Sequence, residues 1–396
     1  MIWPKISKNK TILKYYLYVF LRDLVFFGAV LVPMYTNWAH ISQFQIQILQ
    51  SWFMLWIFLL EIPTGAVADF LGRKYSLAMA GLVTAIATLV YGSVPLFGVF
   101  LIAEFLYAMG AALSSGADDA LLYDALKEEG RESESKKIFG RANTIHLAGI
   151  FLAAPIGSLM AQKFGVNSPM LFSAIPTFLC FLVALSIREP KVHDKTPERK
   201  RYLLIAKNGI SFFVHHRVLR LLALDGVLVA AGAYFVIWFY QPILMKLGLP
   251  IFWFGFIQAA LVGAEMLISA NFTRLEKWAG GAKGFLKFGA LVTGLSFFIV
   301  AIWPSFWTVG ILLLFAGGFG LTRLDLMSAY MNKLIPSEQR ATVLSSISML
   351  RRIALVILNP IMGFIFDKSL MWAMILAGTI PLLVFFFSPI ENEGLE

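Results

Sequence analysis

Gly65-Ala66-Val67-Ala68-Asp69-Phe70-Leu71-Gly72-Arg73-Lys74 is the stretch on which the reading of this chain turns. It fits G-x-x-x-D-x-x-G-[RK]-[RK], set between two long apolar runs. Gly65 lets its helix approach a neighbour closely, and Gly72 permits a tight turn. Asp69 can cap a facing helix or pair with an arginine. Arg73 and Lys74 hold the turn at a membrane surface. The plain alternative is a short polar turn with two anchoring cations.

Reading outward, the apolar runs are long enough to cross a bilayer, which takes about 20 residues each. Twelve are predicted, over 12–36, 43–68, 75–94, 97–122, 142–162, 168–187, 219–245, 251–272, 286–303, 306–332, 342–366 and 370–388; they are helices 1 to 12 below. The first run is too long for a signal-peptide core and has no small-residue cleavage site, so it stays as a helix. Composition agrees: over 396 residues, 59% are hydrophobic and only 14% charged, against about 25% charged in soluble proteins. With a mean hydropathy of +0.77, a soluble, disordered, collagenous or disulfide-stapled chain is excluded. Cys180 stands alone in an apolar run, so it forms no intrachain disulfide and belongs to no metal or redox motif. It reads as a small buried or lipid-facing residue.

The net charge of +10 comes from 33 basic against 23 acidic residues. Spread over a soluble surface it would suggest nucleic acid. Here 26 of the basic residues fall in the termini and loops of one side, and only Lys163, Lys246 and Lys368 on the other. Arg22, Arg323, Arg351 and Arg352 remain inside helices. This asymmetry predicts a multi-pass protein of the inner (cytoplasmic) membrane with both termini cytoplasmic, and no nucleic-acid partner.

The polar stretch 188–218 divides the chain into domains 1–187 and 219–396, with an amphipathic segment expected at Tyr202–His216. The halves repeat. Asp23 matches Asp225 and Glu61 matches Glu265. Gly110, Asp118 and Tyr123 match Gly317, Asp325 and Tyr330, and Arg141-Ala142 matches Arg340-Ala341. The offsets lie between 199 and 207 residues. Both halves have six spans and start on the same side, so the repeat is parallel. The fold class is an all-α membrane protein of two pseudo-symmetric six-helix bundles.

The segment 65–74 resembles the signature loop of the major facilitator superfamily. Glu61-Ile62-Pro63-Thr64-Gly65 is similar to its bacterial drug-exporter-like members, as are Gly116-Ala117-Asp118-Asp119-Ala120-Leu121-Leu122-Tyr123-Asp124 and Arg340-Ala341-Thr342-Val343-Leu344-Ser345. The resemblance covers the whole chain. It implies two bundles rocking about a cavity lined mainly by helices 1, 4, 7 and 10. The family's antiporters often carry G-x8-G-x3-G-P-x2-G-G in helix 5. Here Gly140 and Gly149 keep the first spacing, but Ala153-Ala154-Pro155-Ile156-Gly157-Ser158 departs from the rest.

Ionisable residues at membrane depth are costly and read as functional. Asp23 lies about 16 Å into helix 1, counting about 1.5 Å per residue. A carboxyl held out of water there can take up and release a proton, so Asp23 leads the proton-coupling candidates, with Asp225 and Glu104 behind it. The structural alternative for Asp23 is an ion pair with Arg22 or Arg352. Arg22 is adjacent, about 100° round a helix, and so is expected to face elsewhere. Asp225 has a capping or gate-pairing alternative. Arg351 and Arg352 are substrate candidates or structural pairs. Phe26 and Phe27, with Tyr234, Trp238 and Tyr240, are expected to line an aromatic chamber suited to amphipathic cations. His146 titrates or is a buried hydrogen-bonded histidine. Glu61, Gly65, Asp69, Gly72, Arg73, Asp118, Arg141, Glu265, Arg323, Asp325 and Arg340 read as an inner gate. For Asp119 and Asp124, solvated helix ends are the expectation.

No phosphate loop, metal cluster or catalytic constellation is present, so the chain is expected to be no enzyme and to need no cofactor. The expectation is a secondary transporter working by alternating access in the lipid bilayer as a monomer, exporting small amphipathic or cationic compounds against protons. The alternatives are proton-coupled uptake of an anionic or zwitterionic metabolite, and a lipid flippase or transporter-like sensor without ion coupling.

Overall fold

The computed structural model describes residues 10–190, 211, 213–336 and 340–388. Most of the expected amphipathic segment Tyr202–His216 lies outside them; Phe213, Val214 and His215 are helical. Among the described residues there is no strand. Twelve helices are long and apolar enough to cross a membrane: Lys10–Trp38, Gln43–Glu61, Arg73–Ser93, Phe97–Glu128, Glu132–Phe164, Ser168–Ser186, Arg217–Lys246, Phe252–Ala270, Ala282–Ile302, Phe306–Leu334, Val343–Lys368 and Leu370–Phe387. These are helices 1 to 12 in the order expected. Helix 2 continues to Leu71 and helix 11 begins at Arg340.

The described residues form two compact units. One is drawn from the described residues within 1–41, 52–194 and 250–259; the other from those within 42–51, 195–249 and 260–396. The core of the first gathers Tyr15, Tyr18, Leu77, Leu121, Leu122, Cys180 and Ala184. Cys180 is free and buried, as its apolar setting implied. The core of the second gathers Leu219, Leu222, Phe285, Phe319, Met327 and Val343.

Among the described residues helices 1, 4 and 10 are broken and helix 6 is interrupted for one residue at Ser173, and the breaks matter more than the spans. Helix 1 is regular over Lys10–Asp23, unwinds, and resumes through a 3-10 turn at Gly28–Val30 into a wide π stretch at Met34–Trp38. Phe26 donates its freed N–H to Ser173 Oγ of helix 6 at 2.9 Å. Helix 4 runs over Phe97–Ser114, turns at Gly116 with φ +76°, and restarts at Ala117. Helix 10 passes through a π stretch at Leu313–Leu321 and restarts at Arg323. A backbone group freed at membrane depth needs a partner inside the protein. Broken helices are therefore stable only where neighbours supply one.

Helix 5 provides the bed for the break in helix 1. A Cβ added at Gly157 would overlap the Phe26 carbonyl, and one at Gly149 would lie 3.2 Å from the Phe20 carbonyl and 3.3 Å from Asp23 Cβ. The two glycines and Ala153 between them lie two turns apart on one face. They let the unwound segment sit directly on helix 5.

The signature segment is built differently from its sequence reading. Gly72 has φ +106° and its N–H closes the end of helix 2 on the Ala68 carbonyl. The next two N–H groups, of Arg73 and Lys74, each donate to the Glu189 carboxylate at 2.8 Å. The start of helix 3 is thus capped by Glu189, a residue that the sequence placed only in the linker. Asp69 is exposed one turn earlier and makes no hydrogen bond or ion pair among the described residues, so it is not the cap. Nor does Gly65 mark a close helix approach: a Cβ there would meet nothing within 4 Å. The approach is made one residue earlier, where buried Thr64 donates to the Ala112 carbonyl of helix 4 at 3.0 Å.

Candidate functional site

The breaks in helices 1 and 4 place a charged cluster inside the first unit. Arg22 Nη1 donates to Asp118 Oδ2 at 2.7 Å, and its Nη2 to Asp23 Oδ2 at 3.1 Å. The expectation that Arg22 faces away from Asp23 does not hold. Both lie in the last turn of the regular stretch, and the long Arg22 side chain curls across the roughly 100° between them to reach the Asp23 carboxylate. On the far side of Asp23, His146 Nδ1 of helix 5 lies 2.8 Å from Asp23 Oδ2. The nitrogen's direction does not complete a hydrogen bond in this arrangement, so the pair is a close polar contact. With His146 neutral, Arg22, Asp23 and Asp118 carry one net negative charge. One added proton brings these three residues to zero; Asp119, exposed at the start of the second half of helix 4 as expected, lies within electrostatic reach of Asp118 and Arg22.

Aromatic rings stand beside it. Phe27 meets Tyr107 of helix 4 edge-on at 6.0 Å, and Tyr107 meets Phe53 of helix 2 at 6.0 Å. Tyr107 lies within the electrostatic reach of both Asp23 and Glu104. Phe26, by contrast, is buried in the packing against helix 5. Glu104 is 6% exposed and accepts from the Tyr91 hydroxyl at 2.8 Å and the Tyr35 hydroxyl at 3.5 Å. The two hydroxyl oxygens also lie within hydrogen-bond reach of each other, so the single Tyr35 proton is shared between Tyr91 Oη and Glu104, and Phe100 stacks on Tyr91. A carboxyl in that sleeve is held by neutral donors from helices 1 and 3.

Nearer the signature turn, Arg73 pairs with Asp124 and donates to the Ala120 carbonyl at 2.6 Å, tying helix 3 to the restarted half of helix 4. The expectation of a solvated Asp124 is corrected accordingly. Arg141 is exposed on helix 5 near Tyr16. Glu61 is half-buried on helix 2.

The second unit solves the same problem with the charges exchanged. Asp225, the repeat partner of Asp23, is joined to Arg323 of helix 10, whose Nε donates to Asp225 Oδ1 at 3.0 Å. Both residues are buried, at 5% and 2% exposure. Arg323 also donates to the Leu286 carbonyl of helix 9, and Ser388 donates to Asp225 Oδ2 at 2.9 Å. In the first unit helix 1 supplies the arginine and helix 4 a carboxylate; in the second, helix 7 supplies the carboxylate and helix 10 the arginine. Asp325, the repeat partner of Asp118, is exposed, and Glu265 is half-buried on helix 8. Arg340 donates to the Asn332 carbonyl at 3.2 Å, closing the end of helix 10.

Tyr234 and Trp238, one turn apart on helix 7, share a face with ring centroids 6.3 Å apart. Arg351 is half-buried within electrostatic reach of Tyr234, Asp325 and Arg352, and makes no ion pair among the described residues. Arg352 is also half-buried. Tyr240 lies elsewhere, wholly buried, with its hydroxyl accepting from Gln241 at 3.3 Å. Tyr107, Phe53 and Glu189 carry parts of these sites that the sequence did not single out, and His146, which it did, was not placed against Asp23. For His146 the signal was present: it is three residues before Gly149, and so on the face of helix 5 that meets Asp23.

Twelve helices long and apolar enough to span, some of them broken where ionisable side chains meet, define a multi-pass membrane protein. The chain belongs to the major facilitator superfamily, whose sequence profile matches residues 16–358. It is a secondary transporter of small molecules and not an enzyme. No curated protein sequence matches it. Its fold is similar to that of a mutant form of the nucleoside transporter NupG, with TM-score 0.81 at 14% identity over 95% of this chain and 98% of that one. It is similar also to a D-xylose-proton symporter, with TM-score 0.73 at 14% identity over 97% and 99%. A bacterial homologue of the human lysosomal transporter Spinster, inward-facing and occupied, gives TM-score 0.72 at 16% identity over 98% and 97%.

Proposed function

We propose that this transporter exports small amphipathic cations in exchange for protons, by alternating access, as a monomer in the inner membrane with both termini cytoplasmic. The observation that carries the reading is the Asp23 cluster. Two carboxylates and one guanidinium leave a single uncompensated negative charge beside His146 and the Phe27–Tyr107–Phe53 aromatics. One proton neutralises that charge, and so does one monocation. A site that holds either but not both couples their movements, because each ligand shifts the conformational equilibrium by its own differential affinity. The aromatic faces add cation–π attraction for a substrate and none for a proton.

Asp225 takes a positioning role in this account, because Arg323 and Ser388 already occupy its carboxylate. Glu104 in its tyrosine sleeve is the second proton carrier. The Arg73–Asp124 and Arg22–Asp118 ties, with Arg340 on the end of helix 10, make up the part of the inner gate that lies within each unit. Everted vesicles with an imposed pH gradient test the exchange. Accumulation of a fluorescent amphipathic cation that collapses the gradient, and is lost in Asp23→Asn, supports it. Full gradient-driven transport by Asp23→Asn ends it.

One observation favours a second reading. Arg351 is half-buried beside Tyr234 with no ion pair of its own among the described residues, as a ligand for the carboxylate of an anionic or zwitterionic substrate taken up with protons would be. Arg351→Ala then abolishes transport, whereas a cation exporter tolerates it.

A further inference from the structure

In the second unit the first turns of helix 2 lie along the last turns of helix 11. Three contacts fasten them. The Asp367 carboxylate accepts from the Gln43 and Phe44 N–H groups, at 3.0 Å each, and so caps the start of helix 2 from another helix. A Cβ added at Gly363 would lie 2.8 Å from Phe44 Cα and 2.9 Å from Gln47 Cβ, so the two backbones approach as closely as glycine allows. Ser51 Oγ donates to the Val356 carbonyl at 3.0 Å. Helix 11 leaves that carbonyl without its usual partner, because Pro360, four residues on, has no N–H.

Between these fastenings the seam buries three carboxamides. Gln43, Gln47 and Asn359 are 4%, 0% and 0% exposed. Neither the oxygen nor the nitrogen of any of the three has a hydrogen-bond partner among the described residues. Gln43 and Gln47 stand one turn apart on helix 2, and Asn359 stands one turn before Gly363 on helix 11, so all three belong to the facing sides. Amides between membrane helices ordinarily act as glue by bonding across the contact. These do not. Each buried amide left unsatisfied shifts an equilibrium against the packed arrangement by roughly tenfold or more. Close packing alone does not require such groups. In the first unit helix 8 meets helix 5 as tightly at Gly255, and there Ser158 donates to the Phe252 carbonyl at 2.8 Å.

We propose that this seam is a loaded latch: Asp367 and Ser51 hold it shut, and the three dry carboxamides drive it open to water during transport. Pro360 supplies the hinge, since helices bend where a proline interrupts the hydrogen-bond ladder. Opening frees the last turns of helix 11 from the first turns of helix 2 and hydrates six amide atoms at once. The shut seam is therefore short-lived by construction. The inference rests on the reading of the chain as an alternating-access carrier, and it takes nothing from the identity of the substrate or the coupling ion.

The test uses the full chain in detergent. Cys180 is buried, so a thiol introduced by Gln47→Cys reports alone, and its rate of reaction with a water-soluble maleimide follows opening of the seam. Asn359→Leu keeps the side-chain shape and removes both amide atoms. Gly363→Ala wedges the two backbones apart. In the folded Gln47→Cys protein the thiol is expected to react, about tenfold more slowly once Asn359→Leu is added and faster once Gly363→Ala is added. Without the thiol, Asn359→Leu is expected to raise the thermal unfolding temperature and to slow tetraphenylphosphonium flux in vesicles. An unreactive thiol in the folded protein, an equal rate with Asn359→Leu, or a lower unfolding temperature for Asn359→Leu makes the seam a permanent joint and overturns the proposal. If the wild-type protein carries no tetraphenylphosphonium, the exchange reading fails, and the thiol and unfolding results still decide the latch. If Gln47→Cys does not purify folded, Gln43→Cys carries the same comparison.

Discussion

Two aspartates related by the internal repeat have come to different ends. Asp23 keeps open company, with His146 at 2.8 Å and an arginine shared with Asp118. Asp225 sits in a closed pair with Arg323. Breaking a buried pair by removing one partner costs roughly 3–5 kcal/mol, because the other charge is left without compensation. Asp225→Asn is therefore expected to lower the thermal unfolding temperature strongly, and a paired Asp225→Asn/Arg323→Leu variant to recover much of the loss. Asp23→Asn and His146→Gln are expected to unfold near the wild-type temperature, since the cluster is partly exposed and Arg22 keeps Asp118. Their loss is expected in proton coupling. A destabilised Asp23→Asn alongside an unaffected Asp225→Asn would reverse the assignment.

Helix breaks decide what the charges can reach, and they were the least legible part of the sequence. All twelve spans follow from apolar run lengths, because the bilayer imposes one length on every crossing. A break leaves no such imprint. Its signals are local and ambiguous: Gly116 before Ala117, the Ala316-Gly317-Gly318-Phe319-Gly320 run, and Gly28 after Phe27. Each is compatible with a continuous helix until a neighbour is known to accept the freed backbone. For helix 1 Ser173 is that neighbour, and Gly157 leaves the room that lets the segment reach it. Gly157→Leu is expected to abolish stable folding, because its side chain would occupy the place of the Phe26 backbone. Gly65→Ala meets empty space among the described residues and is expected to be neutral or to stabilise by about 0.5–1 kcal/mol through helix propensity. Thermal unfolding of the two variants checks the contrast. Glu189→Ala removes the cap of helix 3 and is expected to cost about 0.5–2 kcal/mol. Asp69→Ala is expected to cost nothing measurable.

At the scale of the molecule, the sequence made the family legible through the 65–74 segment and the internal repeat, and the family match over residues 16–358 agrees. Side-chain partners were legible only where spacing along one helix sufficed, as for Tyr234 and Trp238. Partners drawn from different helices, such as Arg22 with Asp118 or Arg73 with Asp124, depend on packing that no single sequence periodicity encodes. Orientation rests on the 26 basic residues of one side, and it has its own test. Cys180 is buried, so the chain offers a quiet background for introduced thiols. A cysteine at Lys246 is expected to react with an impermeant maleimide in intact cells, and one at Lys136 only after permeabilisation. The opposite pattern would invert the topology.

The central claim is that one site, built on Asp23, holds either a proton or a cationic substrate. Proton release on substrate binding measures it most directly. Tetraphenylphosphonium is added to the detergent-solubilised protein in weakly buffered solution while the pH is followed. The account predicts release approaching one proton per substrate bound by the wild-type protein and none from Asp23→Asn. Saturable binding without proton release, or equal release from both proteins, would contradict it.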